Sequence, residues 1–380
     1  MRPTSPEGSS RLDWIDAARG IGMILMFYGH VLQRGFPPSN ASAADQMRFV
    51  YSFHMPFFFV MSGFFFRPTR DLGRRVRQLA ARRLVPVVFF ALVFLPLWMF
   101  GELRAHVPIG HDVRDLIVEY LRGRPHLDWL TWFLVCLFVC EVMAAVVLSR
   151  VANPLVQLGL GVALVVAGVL LSNASLTPSA GVAYAVGRTW FLTEAVVALG
   201  LYAIGRAAFP WLVRASRQRL LVWLGAVGGL AVVLLTYRHN PGTGVVIMAA
   251  RDNGDPLCFL GTALAGTLAV LALGVILERV EILRAIGRDT LPLLGLDFFF
   301  FEYANPKLAR LWHVADSQPA VLGASLAVTI LSMLACVPLL RLLNRYVPQL
   351  VGKSGVSGPW LPALEPRFAA PARGASLLAP

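Results

Sequence analysis

Apolar residues in this chain fall in long unbroken blocks, with no two-residue alternation. Runs of roughly 18 to 22 such residues recur about ten times, over 14–32, 48–66, 84–101, 129–149, 155–172, 182–204, 219–237, 257–277, 291–304 and 320–343. At about 1.5 Å of rise per residue, each is of the order needed to cross a hydrocarbon layer roughly 30 Å thick. The ninth run is short and carries Pro292 near its start. The pattern predicts an all-α, polytopic integral membrane protein with about ten transmembrane helices, occupying residues 1–346. From Val347 the text changes: Pro348, Pro359, Pro362, Pro366, Pro371 and Pro380 stand among Ala, Gly and Ser. Residues 347–380 are therefore expected to form a disordered Pro/Ala-rich cytoplasmic tail.

Composition supports the same class. Of 380 residues, 57% are hydrophobic and 14% charged, and mean hydropathy is +0.66. A soluble chain could not bury so much apolar surface. The formal net charge of +13 would suggest nucleic acid as partner in a soluble protein, but here its distribution matters more. Of the 34 Lys and Arg, the side holding both termini and the 67–83 segment carries more than twice as many as the other. Both termini are thus expected in the cytoplasm, with the bilayer and not nucleic acid as partner. The first span has Asp13, Asp16 and Arg19 in its opening turns and reads as a retained helix. Cys136, Cys140, Cys258 and Cys336 all lie in apolar runs and read as free core thiols. Cys136 and Cys140 share a helix face without a His or third Cys, so no metal site is expected.

Arg19 and His30 carry the strongest chemical signal. Both sit in one apolar span, where each costs a few kcal/mol to insert and so needs a reason. Eleven residues of helix separate them by roughly 16 Å, half the hydrocarbon thickness. His54 opens the second span at a depth similar to that of His30. A histidine can accept an alcohol proton near neutral pH or carry an acyl group itself. Arg19 cannot act as a base; it binds anions, orients, or pairs with Asp16 one turn away. Glu141, Arg188, Glu194, Asp297 and Glu302 also fall within spans and read as structural glue or cavity lining. Among them Arg188 and Glu194, together with Asp16, are candidates for lining the substrate path. In the basic stretch 67–83, Arg74, Arg75, Arg77, Arg82 and Arg83 anchor the chain on anionic lipid or cradle a polyanionic cytosolic ligand. Ser62-Gly63 marks a place for close helix approach. Trp129, Trp132 and Phe133 read as an interfacial belt.

These segments resemble a known family. RLDWIDAARGIGMILMFYGHV (11–31), FHMPFFFVMSGFFF (53–66) and the basic stretch closing in RRLVP (82–86) are similar to the acyltransferase 3 family of membrane-bound O-acyltransferases, nearest its branch related to fucose 4-O-acetylases. The family pattern of Arg, ten residues, His is met by Arg19 and His30. TWFLVCLF (131–138) and GRDTL (287–291) are shorter echoes. Related sequences often place a His in the span after GRDTL; this chain has Asp297 there, so a family role does not carry over to it.

The resemblance implies transfer of an acyl group, typically acetyl, from cytosolic acetyl-CoA to a hydroxyl of a cell-surface glycan or glycolipid precursor. It makes Arg19 and His30 the essential pair and His54 and the Arg82-Arg83 segment further site elements. Acetyl-CoA would be a cosubstrate, with no permanently bound cofactor. An Arg-rich, Lys-poor composition fits a bacterial source, and hence a multi-pass protein of the inner membrane. The alternative is a transporter of a small anion or sugar, because intramembrane Arg, His and Glu also mark permeation paths.

Overall fold

The computed structural model describes residues 12–104, 109–174 and 189–365. Among the described residues the regular structure is helical, and eight helices are long and apolar enough to cross a membrane. The chain is an all-α polytopic membrane protein.

The central element is α1 (Asp13–Arg34), buried along most of its length from Trp14 to Leu32. Its two ends define an Asp13 face and an Arg34 face of the bundle. Asn40 caps α2 (Ala41–Tyr51) by accepting a hydrogen bond from the Ala43 amide at 2.8 Å. The chain bends at Ser52-Phe53 and α3 (His54–Gly63) descends towards the Asp13 face. The expected span 48–66 is thus two short helices, broken just before His54.

Leu72–Arg104 forms α4, a single helix of 33 residues, about 50 Å long at the usual rise. Much of the basic 67–83 stretch is therefore helix and not loop. Next come α5 (Ile109–Leu121), a single 3-10 turn Trp129–Thr131, α6 (Trp132–Val147) and α7 (Pro154–Ala174). The sixth expected span, 182–204, is displaced: α8 runs Leu192–Ala215, and residues 182–188 lie outside the described residues. After it come α9 (Arg219–Thr236) and α10 (Pro256–Ile276), whose cap Asp255 accepts from the Leu257 and Cys258 amides. A short α11 (Glu281–Arg288) lies against α1. The ninth expected span, 291–304, belongs to a longer helical run from Thr290 to Leu311. It consists of α12 (Thr290–Phe299), a π-helical segment Phe300–Ala304 and α13 (Asn305–Leu311). The last span is α14 (Gln318–Tyr346).

Without aqueous surroundings to drive helices together, close backbone contact does so. The expected approach at Ser62-Gly63 is present. A Cβ on Gly63 would lie 2.1 Å from the Tyr202 carbonyl oxygen, and one on Gly205 2.0 Å from that of Val60, so α3 and α8 meet backbone to backbone. Leu92, Leu220, Leu235 and Leu331 are exposed on the bundle's perimeter, where lipid is their natural neighbour.

The tail differs from expectation. Pro348–Val351 forms a 3-10 turn with Val351 buried, Gln349 Nε2 donates to Leu361 O at 2.8 Å, and Glu365 is held by Arg82 and Ser354. Proline removes helix here without removing order, because side chains of the bundle supply the missing partners. The packed region extends to Glu365, and 366–380 lie outside the described residues. All four cysteines are free.

Candidate active site

The site is assembled where α1 crosses the helical run 290–311. His30 is 7% exposed, and its Nδ1–H donates to Asp297 Oδ2 at 2.5 Å. Asp297 is itself buried on every side. A carboxylate on Nδ1 fixes the imidazole tautomer and leaves Nε2 as the nitrogen open to a reacting group. Phe301 meets the His30 ring edge-on at 5.0 Å between centroids, and Asn305 Nδ2 donates to the His30 carbonyl at 3.5 Å. Asp297, Phe301 and Asn305 thus bring one helical run to a single residue of α1. The π segment lies among them, in keeping with the frequent occurrence of π turns at functional sites.

His54 stands beside this pair. Its Nδ1–H donates to Val50 O at 3.1 Å, and its ring packs on Tyr51 at 4.6 Å. Tyr51 in turn lies against Gly29 and donates to Gln33 Oε1 at 2.6 Å. Tyr51 thus links His54 to the stretch of α1 that carries His30. Arg19 lies about 16 Å nearer the Asp13 face along α1, its guanidinium 5.3 Å from the centre of the Phe65 ring.

A cleft of about 430 Å³ opens at the Arg34 face and is lined by Gln33, Glu119, Arg124, Trp129, Glu194 and Arg251 among others. Trp129, one of its lining residues, packs on Phe301 at 5.3 Å between rings, and Phe301 in turn packs on the His30 ring. Glu194 stands here with Arg251, 3.7 Å away, and accepts from Thr193 Oγ1 at 2.8 Å. Its partner comes from the loop before α10 and not from a neighbouring span. Arg188 lies outside the described residues. Trp132 is buried against Phe59 and Phe191, which replaces the expected interfacial belt at that residue with core packing.

At the Asp13 face the remaining candidates divide. Asp16 is buried and pairs with Arg288 of α11 at 3.5 Å, so it fastens α11 to α1. Arg83 makes a two-pronged contact with Glu141, at 2.8 and 3.0 Å, and Arg82 another with Glu365, at 3.1 and 3.0 Å. These two arginines are held by carboxylates of the protein itself. Arg74 and Arg77 are exposed and Arg75 is half-buried on the first turns of α4.

Asp297 is the residue of the candidate site that sequence reasoning does not join to His30. Its signal was present in the depth of an acid within a span directly after GRDTL, but no spacing rule joins positions 267 residues apart. Phe301 and Asn305 carried no separate signal. Among the described residues no His, Cys, Asp and Glu cluster could hold a metal ion.

A family model described as an acyltransferase domain matches residues 12–341. No curated protein and no solved structure matches the chain.

Proposed function

The chain belongs to this acyltransferase family, and from that premise we propose that it moves an acetyl group from cytosolic acetyl-CoA to a hydroxyl of a cell-surface glycan or glycolipid precursor. A membrane acyltransferase has no need of the transporter alternative. The observation that carries the reading is the 2.5 Å contact between His30 and Asp297 inside the bundle, an arrangement suited to a general base.

In this reading the Asp13 face is cytoplasmic, as the excess of arginine on that side supports. The phosphates of the donor cannot enter hydrocarbon; they stay by Arg74, Arg75 and Arg77, while the thioester end reaches past Arg19 towards His30. The acceptor comes from the Arg34 face through the cleft. His30 Nε2 takes the hydroxyl proton as the oxygen attacks the thioester carbon. The tetrahedral intermediate then collapses, breaking the carbon–sulfur bond, and the CoA thiolate leaves with the proton returned by the imidazolium. Asp297 stabilises that imidazolium without itself taking the proton. His54, packed on Tyr51 beside α1, supports the acceptor side of the site. The Arg-rich composition supports a bacterial inner membrane as its place.

The test is transfer of radiolabelled acetyl from CoA to a mixed surface-glycan fraction by purified protein in lipid nanodiscs. Label should enter the glycan with wild-type protein and not with His30→Ala. Equal labelling by a well-expressed His30→Ala protein would remove the imidazole from the reaction.

A further inference from the structure

The polar cleft has an apolar neighbour. Between α4 and α5 lies a groove of about 410 Å³, lined by Val88, Leu92, Leu116, Ile117 and Leu121 among others, and Pro125 borders both cavities. Val88, Leu92, Ile117 and Leu121 are exposed, so this groove opens sideways to the bilayer while the cleft opens at the Arg34 face.

The chain between the two is built, not loose. Gly123 takes a left-handed turn with φ of +72°, and a Cβ there would lie 2.6 Å from the Trp190 ring. Trp190 fastens the turn twice: its amide donates to Arg122 O at 2.8 Å, and its indole Nε1–H to Leu121 O at 3.2 Å. On either side of Gly123, Arg122 and Arg124 both reach the one carboxylate of Glu119, at 3.3 and 2.7 Å. Two cations sharing one anion leave the seam between groove and cleft with an excess positive charge.

Read outward from the bilayer, the order is apolar groove, cationic seam, polar cleft, His30 wall. That is the order of parts in an amphiphile with a hydrocarbon chain, a phosphate and a sugar. Resting on the acyl-transfer reading above, we propose that the acceptor enters from the bilayer as a polyprenyl phosphate-linked sugar. The chain lies in the α4/α5 groove, the phosphate at Arg122 and Arg124, and the sugar in the cleft against Trp129. Arginine suits this post because its planar fork matches phosphate oxygens.

Binding can be read without turnover, by native mass spectrometry of the full chain in phosphatidylcholine nanodiscs. The probes are a polyprenyl phosphate, the matching polyprenol and inorganic phosphate. Polyprenyl phosphate should bind, polyprenol at least about tenfold more weakly, and inorganic phosphate not at all. Arg124→Gln and the groove-filling Ile117→Trp should each weaken polyprenyl phosphate by about tenfold, with Arg124→Lys recovering part of the loss. Equal binding of polyprenol, equal competition by phosphatidylglycerol, or undiminished binding by both variants would overturn the proposal. In turnover, wild-type protein acetylating a free sugar as readily as its lipid-linked form would overturn it while leaving acyl transfer intact. Arg124-dependent binding without any transfer would instead preserve this site and sink the acyl-transfer reading.

Discussion

The imidazole of His30 and the carboxylate of Asp297, 267 residues apart in the chain, meet at 2.5 Å within the bundle. If Asp297 orients the ring and stabilises its protonated form, Asp297→Asn should keep the shape of the site and lose the charge. We expect kcat to fall by roughly 10²- to 10⁴-fold, with KM for acetyl-CoA little changed. Steady-state kinetics in nanodiscs would show it, and a loss confined to KM would assign Asp297 to binding instead.

Arg83 separates two roles that sequence alone leaves mixed. Its contact with the nearly buried Glu141 means that Arg83→Gln strands a carboxylate, at a cost of up to about 3–5 kcal/mol for a fully buried pair and less here, because Arg83 keeps some exposure. The double variant Arg83→Gln, Glu141→Gln should recover most of the thermal stability and keep the wild-type KM for acetyl-CoA. A raised KM in the stable double variant would return Arg83 to the donor site.

Arg75 and Arg77 should behave in the opposite way. Replacing both by Gln is expected to raise KM for acetyl-CoA by about tenfold, the equivalent of roughly 1.4 kcal/mol, without moving the melting temperature. The same enzyme assayed with acetyl-pantetheine, which lacks the nucleotide phosphates, should show no difference between wild-type and variant.

Asp45 ties three elements at the Arg34 face, accepting from Arg238 at 2.9 and 2.6 Å, from Tyr237 and from Gln318. The hydrogen bonds from Arg238 hold its carboxyl below the usual carboxylate range. With a folded pKa depressed, its stabilisation is complete above the unfolded value near 4 and is lost as pH falls through the folded value. Asp45→Asn should therefore lower the melting temperature at pH 7, by an amount equivalent to about 0.2–1 kcal/mol for an exposed pair. The gap should close as the pH falls from the unfolded value through the depressed folded one, as thermal denaturation across pH would reveal.

Close packing at α3 and α8 gives the most direct stability test. Gly205→Ala places a methyl against the Val60 carbonyl oxygen and should cost about 1–3 kcal/mol through overpacking. It should also lower activity by displacing α3, which carries His54. Thermal unfolding in detergent reports the first effect, and an unchanged melting temperature would show that α8 can move aside freely.

Long apolar blocks made the membrane spans legible because hydrocarbon thickness sets a length that sequence must satisfy. Arg19, His30 and His54 were legible because charge or imidazole inside such a block is costly. The departures have a common origin. The second and ninth blocks look like plain spans, yet the chain bends before His54 and winds into a π turn after Asp297, features decided by tertiary contacts and not by hydropathy. Likewise, nothing local told that Arg82 and Arg83 are held by Glu365 and Glu141, while among the described residues Arg75 and Arg77 of the same stretch have no such ion pair. Pairing across 283 or 58 residues is a property of the packed bundle.

The π turn at Phe300–Ala304 solves a problem of phase. Asp297 and Asn305 are eight residues apart, and in an uninterrupted α-helix their directions would differ by about 80°. Five residues wound at about 4.4 per turn remove most of that difference, so both can address His30, one at its ring and the other at its carbonyl. Rewinding these five residues as ordinary α-helix with none removed would restore the roughly 80° and swing one of the two away. Deleting one residue, by contrast, would leave them seven apart and only about 20° out of register, so the turn is what lets one extra residue be carried without loosening the imidazole.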